Sequence, residues 1–390
     1  MKNCCIYSVA ILSLGAPLAH ASTIANGGFE AETFGVFPGY IAGNGPITGW
    51  SSNANSNAGQ NQAGGPFANN GAVPEGNNVA ILQGNTSGTT TLSSVDGITG
   101  LVAGRTYNLT YRVNNRLVAG ANDPNMGLEI NGANVLRSRT SAVGASNPYK
   151  TVSVNFVATG PTASLTLTNE SLADKTLLFD DFQVAEVTPN ITVSAWNDDA
   201  TSGIDSSLNY THAVNLGSAT GAMINGVPFI GVAGGNPSIP GSFSYNMGNS
   251  FANDANNITV GGSSTLANDF VFNNATPTLT LEGLTVGQLY RTSIFTVGFD
   301  STTLGRASTI TGPDGEMLTV DVNAFGNNNG ARVDIEFVAT ATTEDIEVTA
   351  LFDPSSFHTY AIANAELIPE PSSLSLLALS ALGLGMRRRR

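Results

Sequence analysis

Apolar and polar residues alternate at a period of two along much of this chain, which is the pattern of β-strands with one buried face. Residues 106–113 (Thr-Tyr-Asn-Leu-Thr-Tyr-Arg-Val) alternate in this way, as do 152–157, 164–168 and 333–337. Gly, Asn, Pro and Asp residues separate these segments and are typical of turns. Convincing amphipathic helical periodicity is absent from residues 22–368. The pattern predicts an all-β protein built from antiparallel β-sandwiches or jelly rolls.

An internal repeat predicts how many such units there are. Three pairs of segments match in the same order, at offsets of 181, 183 and 180 positions: Val152–Thr159 with Val333–Thr340, Gly104–Tyr107 with Gly287–Tyr290, and Ala185–Pro189 with Ala365–Pro369. A nearly constant offset indicates a duplicated unit. We therefore expect two tandem β-sandwich domains, 22–189 and 190–368, each ending on the strand before its proline. The alternative is one large sandwich whose strands are similar by coincidence.

The first 21 residues have the layout of a secretory signal peptide. Lys2 supplies a short positive region, residues 4–18 supply an apolar one, and Ala19-His20-Ala21 is a small-x-small cleavage site. The sequence therefore predicts removal of residues 1–21, so that the mature chain begins at Ser22.

The C-terminus carries three parts in a fixed order. Pro369, Glu370 and Pro371 come first, followed by an apolar run over 374–386 and a basic end of four arginines: Arg387, Arg388, Arg389 and Arg390. Counted from Pro371, the apolar run would span roughly 24 Å as a helix, which is short for a hydrocarbon core of about 30 Å. The arginines would hold this end on the cytoplasmic side, with everything upstream outside. The tail thus predicts a short transmembrane helix.

Residues 369–390 resemble the PEP-CTERM sorting signal of Gram-negative bacteria. The resemblance implies that an exosortase-type membrane protease recognises the Pro-Glu-Pro motif and removes the helix and the arginines. It also implies an inner-membrane intermediate, followed by attachment at the outer surface or release into the extracellular matrix. The alternative is an ordinary C-terminal membrane anchor.

Composition excludes several kinds of chemistry. Both cysteines, Cys4 and Cys5, lie in the signal peptide, so the exported chain has no disulfide and no cysteine-ligated metal. Only His212 and His358 remain as histidines, and we interpret both as structural. The net charge is −14, and removing Lys2 and the four arginines would make it more negative by about five charges. Binding to nucleic acid, or to anionic membranes except through the C-terminal helix, is therefore disfavoured.

Four further segments of the first domain carry a second resemblance. They are Asn26–Glu30, Gly49-Trp50, Pro74–Gly84 and Phe179–Val184. In this order they resemble galactose-binding-like jelly rolls, including carbohydrate-binding modules and DUF642-type wall proteins, over 24–187. The resemblance implies a sandwich of eight or nine strands with a structural calcium between the first and last strands. Glu30 and Asp181 would hold the ion, with Asp180 as the other candidate, and carboxylate oxygens suit calcium. The alternative is that one aspartate points to solvent while the other bonds a turn.

Aromatic residues of this domain are candidates for sugar contacts. Trp50 is either a stacking platform for a pyranose ring or a core residue. Tyr40, Phe37 and Phe67 stand in long Gly/Asn-rich loops, where binding residues are often found, although such loops also serve as solvated connectors. Trp50, Tyr40 and Phe67 are the predicted ligand-binding residues.

The second domain offers fewer candidates. Its segments Trp196–Asp205, Tyr210–Asn215 and Ile224–Phe229 resemble segments common in other PEP-CTERM surface proteins. Asp198, Asp199 and Asp205 form either a calcium loop or a solvated turn, since the spacing of an EF-hand is missing. The chain also lacks a Gly-x-Ser-x-Gly elbow, a Walker A sequence and a His-Glu-x-x-His pair. We expect a non-enzymatic protein that binds exopolysaccharide or envelope glycan. A structural or adhesive biofilm-matrix protein and a glycan hydrolase are the alternatives.

Overall fold

A computed structural model describes residues 22–32, 47–53, 57–62, 65, 72–116, 123–142, 149–172, 174–299, 306–352 and 357–367. The predicted signal peptide, Tyr40, Phe67 and the sorting tail from 368 onward, with Pro369, Glu370, Pro371 and the four arginines, lie outside the described residues.

The first half of the chain forms thirteen described strands. They are β1 (Thr23–Ile24), β2 (Trp50–Ser52), β3 (Asn57–Gln62), β4 (Asn78–Gln83), β5 (Thr90–Ser94), β6 (Ile98–Thr99), β7 (Thr106–Asn115), β8 (Asn125–Ile130), β9 (Ala133–Arg139), β10 (Lys150–Val157), β11 (Thr162–Ala163), β12 (Leu165–Asn169) and β13 (Thr176–Glu186). Two five-stranded sheets, ordered β10-β7-β13-β4-β3 and β2-β5-β12-β8-β9, pack as a sandwich, and β1-β6-β11 form a small third sheet.

The second half forms fifteen described strands and one short helix. They are β14 (Ile191–Trp196), β15 (Asn209–Leu216), β16 (Ala222–Ile224), β17 (Val227–Val232), β18 (Ser238–Ile239), β19 (Phe243–Tyr245), β20 (Asn249–Ala252), α1 (Gly261–Leu266), β21 (Asp269–Phe272), β22 (Thr278–Glu282), β23 (Leu289–Val297), β24 (Ala307–Thr311), β25 (Met317–Asp321), β26 (Gly330–Val338), β27 (Thr343–Ala350) and β28 (Ala361–Leu367). The main sheets are ordered β14-β26-β23-β28-β15-β17-β16 and β18-β19-β22-β27-β24-β25.

The strand orders show that the second sandwich repeats the first. The run β10-β7-β13 corresponds to β26-β23-β28, and the run β5-β12-β8-β9 corresponds to β22-β27-β24-β25. All-β architecture in sandwich-like sheets is therefore confirmed. One ladder departs from the antiparallel prediction, because β15 and β17 pair in parallel. The predicted boundary at 189/190 falls between β13 and β14, and the independent folding of the two halves stays a prediction.

The repeated Gly-x-x-Tyr segments form the same corner in both sandwiches. Gly104 and Gly287 each have φ +84°, a conformation that favours glycine. The hydroxyl of Tyr107 accepts the backbone N–H of Val102 at 2.9 Å, and the hydroxyl of Tyr290 accepts that of Thr285 at 2.9 Å. Both tyrosines are fully buried. The sequence repeat thus corresponds to a repeated turn that fixes how β7 and β23 enter their sheets.

Each sandwich has its own apolar interior, and two residues of the second half pack in the interior of the first. Phe29, Trp50 and Phe182 lie in the first core, while Tyr290 and Phe337 lie in the second. Ala307 and Leu351 come from the second half of the chain but pack in the first core. Within the described part of the chain, α1 has six residues and no helix is long and apolar enough to cross a membrane.

Candidate functional site

The outer face of the sheet β10-β7-β13-β4-β3 carries a second buried layer. Side chains alternate along each strand, so Leu82 and Phe179 face the sandwich core while Ile81 and Leu178 face away from it. Ile81 and Leu178 are nevertheless fully buried, together with Val79, and they form a separate cluster with Tyr149. This part of the outer face of the sheet is therefore shielded from solvent.

Asp180 lies on this outer face and is fully buried. It stands opposite Arg112 in the register of β13 and β7. Its Oδ2 accepts the N–H of Glu75 at 3.0 Å and its Oδ1 accepts the N–H of Asp181 at 2.8 Å. Burial raises the pKa of the Asp180 carboxyl to about 8, against the lowering effect of these two hydrogen bonds. At neutral pH the side chain is therefore mostly a neutral carboxylic acid.

Tyr149 lies close enough to Asp180 to be affected by its charge. Only 4% of Tyr149 is exposed, and its hydroxyl has no hydrogen-bond partner among the described residues. Burial raises the pKa of this hydroxyl, and the nearby charge of Asp180 raises it further. A buried hydroxyl without a partner is costly, so it is a natural contact point for a ligand or a water molecule.

The three predicted metal ligands do not all converge on one point. Glu30 Oε1 accepts the N–H groups of Asn77 and Asn78 at 2.8 and 2.6 Å, so Glu30 and Asp180 both hold the turn 75–78. Asp181 sits instead at a bulge, with φ +54°, and its Oδ2 lies 3.7 Å from Nε of Arg112. Among the described residues, no group of three or more His, Cys, Asp or Glu side chains is arranged to hold a metal ion.

Amide oxygens beside Glu30 add donors of the kind that calcium takes. Gln60 and Asn78 are buried, and their amide nitrogens both donate to the carbonyl oxygen of Phe29, at 3.0 and 3.1 Å. Gln60 Oε1 and Asn78 Oδ1 have no hydrogen-bond partner in the described part of the chain. Oxygen donors next to a carboxylate fit calcium chemistry, so calcium binding stays a prediction.

Trp50 lies inside the first sandwich. It is 4% exposed, its ring centroid lies 5.2 Å from that of Phe29 and 5.4 Å from that of Phe182, and its Nε1 donates to Asn26 O at 3.1 Å. The ligand-binding role predicted for Trp50 therefore has no exposed ring face to carry it, and the core alternative describes its position.

The polar candidates of the second sandwich are used within the fold. Asp198 accepts the N–H of Thr201, and Asp205 accepts that of Ser207, as in hydrogen-bonded turns. Asp199 accepts the N–H groups of Gly262 and Ser263, at the start of α1. Asp198 and Asp205 thus match the turn alternative, while Asp199 holds the start of α1.

Both histidines of the described chain are buried in structural contacts. His212 is 4% exposed, and its Nε2 lies 2.8 Å from Ser242 O. Desolvation lowers its pKa, against the raising effect of that hydrogen bond. The ring of His358 stacks on Phe270 at 4.3 Å.

A cavity of about 670 Å³ lies where the two sandwiches meet, and we call it the junction cavity. Six of its lining residues carry hydroxyl groups on short side chains: Ser141, Thr151, Thr276, Thr309, Thr311 and Thr349. The first sandwich adds Arg112, Tyr149 and Lys150, and the second adds Phe352. The lining thus combines several hydrogen-bonding hydroxyls with two cations and two aromatic rings.

Hydrogen bonds between the sandwiches fix the walls of this cavity. Lys150 Nζ donates to Leu351 O at 2.6 Å, and Thr309 Oγ1 donates to Thr151 O at 2.7 Å. The N–H of Ser153, on the free edge of β10, donates to Thr319 Oγ1 at 2.8 Å. These bonds are buried or partly buried, where hydrogen bonds are well shielded from competing water.

Sequence reasoning missed the residues of the junction cavity. Arg112 belongs to a predicted strand, but alternation shows only that its side chain faces away from the core. Tyr149 and Lys150 precede a predicted strand and belong to no motif, and Phe352 is separated from them by about 200 positions. These residues meet only through a contact between the two repeats, and the pattern of a single sequence carries no signal for that contact.

Comparison with family models gives two matches. Residues 20–185, less than half of the chain, match the model described as HpiC1 cyclase. Residues 367–390 match the PEP-CTERM protein-sorting motif. The chain therefore carries a C-terminal PEP-CTERM motif, which indicates export and cell-surface sorting with processing by an exosortase. No curated protein matches the chain.

Solved structures similar to this chain include a cyclase and carbohydrate-binding modules. The cyclase from Fischerella sp. TAU is 20% identical with a TM-score of 0.30, covering 42% of this chain and 96% of that one. The CBM22-1–CBM22-2 tandem of Paenibacillus barcinonensis Xyn10C is 9% identical with a TM-score of 0.27, covering 84% and 95%. TmCBM61, solved with β-1,4-galactotriose, is 12% identical with a TM-score of 0.27, covering 42% and 97%.

Proposed function

We propose that this chain is an exported, non-catalytic protein that binds an extracellular or cell-envelope glycan, and that the junction cavity is its binding site. The observation that carries the proposal is the cavity itself. Its volume of about 670 Å³ is in the range of small-ligand sites, and its walls are fixed by hydrogen bonds between the sandwiches. Threonine and serine hydroxyls both donate and accept hydrogen bonds, which suits the hydroxyl groups of a saccharide.

We further propose a route of export with two cleavages. Signal peptidase would cleave after Ala21, and an exosortase would cleave at the Pro369-Glu370-Pro371 motif after an inner-membrane step. Residues 22–368 would then remain at the outer surface or in the extracellular matrix. The mass of the mature C-terminus, measured after fractionation of the host, tests this route. A surface form that keeps Arg387–Arg390 would contradict it.

Glycan binding is tested with a glycan array followed by titration calorimetry on the best ligand. Thr349→Val removes a hydroxyl from the cavity wall, and Thr343→Val removes an exposed hydroxyl from the far end of the same strand, β27. Loss of one hydrogen bond of about 0.5–1.5 kcal/mol predicts roughly threefold to tenfold weaker binding for Thr349→Val. Thr343→Val should bind as the unsubstituted chain does.

Two outcomes of this experiment count against the proposal. Equal binding by Thr349→Val and the unsubstituted chain would remove the junction cavity as the site. Absence of saturable binding to every glycan would favour a structural or adhesive matrix role.

Acid-catalysed ring formation in the first sandwich is a second candidate. It is supported by the match of residues 20–185 to the HpiC1 cyclase model and by Asp180, whose raised pKa keeps a proton available at neutral pH. A neutral carboxylic acid held in a buried site is a competent proton donor. Asp180 lies beside Tyr149, which lines the junction cavity.

This candidate predicts a product that depends on Asp180. The chain would be incubated with a small-molecule extract of the producing culture and analysed by chromatography with mass spectrometry. Ring closure by isomerisation leaves the mass unchanged, so the expected sign is a new peak of equal mass that is absent with Asp180→Asn. No new peak, or the same peak with Asp180→Asn, would count against the candidate.

A further inference from the structure

The junction cavity differs in charge from the rest of the chain. The sequence has 29 acidic and 15 basic residues, and Lys2 with the four terminal arginines lies in segments predicted to be removed, so ten basic residues remain. Arg112 and Lys150 are two of these ten, and both line the cavity. None of the described lining residues is Asp or Glu. Arg112 and Lys150 thus bring two cationic side chains to the lining of this cavity.

Two more cations contact Phe352, which lines the cavity. The guanidinium carbon of Arg139 lies 5.0 Å from the ring centroid of Phe352, and that of Arg306 lies 5.7 Å from the same centroid. Arg139 belongs to the first sandwich and Arg306 to the second, so the ring of Phe352 brings a cation from each sandwich to one place. Four of the ten basic residues are thus gathered at this junction.

Arg112 has hydrogen-bond donors left for a ligand. Its Nε lies 3.7 Å from Asp181 Oδ2, and its Nη1 donates to Thr151 Oγ1. A guanidinium carries five N–H donors in a planar fork, so these two contacts leave others that can reach a ligand.

We propose that the junction cavity binds an acidic saccharide, with a sugar carboxylate held by the guanidinium of Arg112. This inference rests on the proposed glycan binding and names the class of glycan. The planar fork of an arginine matches the two oxygens of a carboxylate, and such a pair gives orientation as well as affinity. The threonine hydroxyls of the second sandwich face the sugar hydroxyl groups.

The test compares three classes of oligosaccharide of equal length by titration calorimetry on the mature chain. One is a uronic acid oligomer, one is its neutral counterpart, and one carries sulfate esters instead of carboxylates. We expect the uronic acid oligomer to bind at least about tenfold more tightly than the neutral one, since hydrogen bonds to charged groups contribute more than neutral ones. The advantage should shrink as the salt concentration rises.

Variants of Arg112 assign the effect to this residue. Arg112→Gln should weaken binding of the uronic acid oligomer about tenfold or more. Arg112→Lys keeps the charge but loses the planar fork, so its affinity should lie between those of Arg112→Gln and the unsubstituted chain. Arg105→Gln is the matched control, because Arg105 pairs with Glu186 on an exposed surface and does not line the cavity. Circular dichroism and melting curves establish that each variant is folded.

The outcomes separate this inference from the proposal on which it rests. Equal binding of acidic and neutral oligomers, unchanged in Arg112→Gln, would overturn the acidic class while leaving glycan binding intact. Binding of the sulfated oligomer alone would overturn the carboxylate assignment. Failure of all three oligomers, together with an empty glycan array, would overturn the proposed function itself.

Discussion

Asp180 and His212 are two titratable side chains whose burial favours the neutral form of each. For Asp180 burial raises the pKa to about 8, and for His212 burial lowers the pKa below its usual value. The consequences for stability have opposite signs. A raised carboxyl pKa means that the folded state binds more protons than the unfolded state, so stability increases as the pH falls below 8. A lowered histidine pKa means that the unfolded state binds more protons as the pH falls.

His212 should make the second sandwich less stable in mild acid. Above pH 6.5 the histidine is mostly neutral in both the folded and unfolded states, and its contribution is fully present. As the pH falls through 6.5, the unfolded chain takes up a proton that the buried ring resists, at up to about 1.4 kcal/mol per pH unit. His212→Gln should remove this loss. Denaturant titrations at pH 7.5, 6.5 and 5.5 measure it.

The difference between the unsubstituted chain and His212→Gln is the quantity to compare, because Asp180 and other shifted carboxyls contribute equally to both. We expect the unsubstituted chain to lose unfolding free energy relative to His212→Gln as the pH falls from 7.5 to 5.5. Parallel pH curves would show that the histidine has the same pKa in both states.

At the scale of elements, the turn before β4 links the start of the first sandwich to its last strand. Glu30 accepts the N–H groups of Asn77 and Asn78, while Asp180 on β13 accepts that of Glu75. Gly76 packs against the carboxyl group of Glu30, with so little room that an added Cβ would lie 2.4 Å from its carbon. Two carboxyl groups about 150 positions apart in sequence thus meet at one turn.

Calcium, if it binds at this turn, should raise the melting temperature of the first sandwich. Glu30 would supply a carboxylate, Asp180 would supply a second one by releasing its proton when the ion binds, and Gln60 and Asn78 would supply amide oxygens. Binding to the folded state alone stabilises it by about 2.7 kcal/mol at a hundredfold excess over Kd. For a domain of this size that corresponds to roughly 5–11 °C. Calorimetric melting in millimolar calcium and in EDTA measures the shift.

Matched variants distinguish the two aspartates that the sequence left open. Asp180→Asn and Glu30→Gln should lose the calcium response. Asp181→Asn should keep it, because Asp181 lies at the bulge beside Arg112 and Gln183. Identical melting curves for the unsubstituted chain in calcium and EDTA would remove the site.

The sequence predicts an element well when neighbouring residues alone determine it. Alternation predicted β7, β10, β12 and β26, because the change of face from one residue to the next is visible within a short stretch of sequence. The repeat predicted that Tyr107 and Tyr290 open equivalent strands, since the same corner needs the same residues. Alternation could not decide whether Trp50 is a core residue or a platform, because both need an aromatic ring after the same turn.

The junction cavity could not be predicted from the sequence, for a different reason. Its walls come from Arg112, Tyr149, Thr309, Thr349 and Phe352, which meet only after both sandwiches have folded and docked. Their hydroxyl and cationic side chains look like ordinary surface residues in the sequence. Docking is decided by the shape of two outer faces, and no periodic pattern encodes it.

At the scale of the whole molecule, the second sandwich completes the first. Ala307 of β24 and Leu351, which follows β27, are fully buried in the first core although both belong to the second half of the chain. The edge of β10 would otherwise present free backbone groups, a feature that commonly invites unwanted strand pairing. We therefore expect residues 22–189 to fold alone but to be less stable than in the intact chain, having lost the apolar contacts of both residues.

Hydrogen exchange at Ser153 reports this coupling directly. Its amide donates across the junction to Thr319 Oγ1 at 2.8 Å and is fully buried there, so it should exchange slowly in the intact chain. Thr319→Val keeps the side-chain shape but removes the acceptor, so exchange at Ser153 should accelerate, while amides in the middle of β7 keep their protection. Thr343→Val on β27 is the control and should leave Ser153 protected. Equally slow exchange in Thr319→Val would mean that burial alone protects the Ser153 amide, and that this hydrogen bond does not stabilise the contact between the two sandwiches.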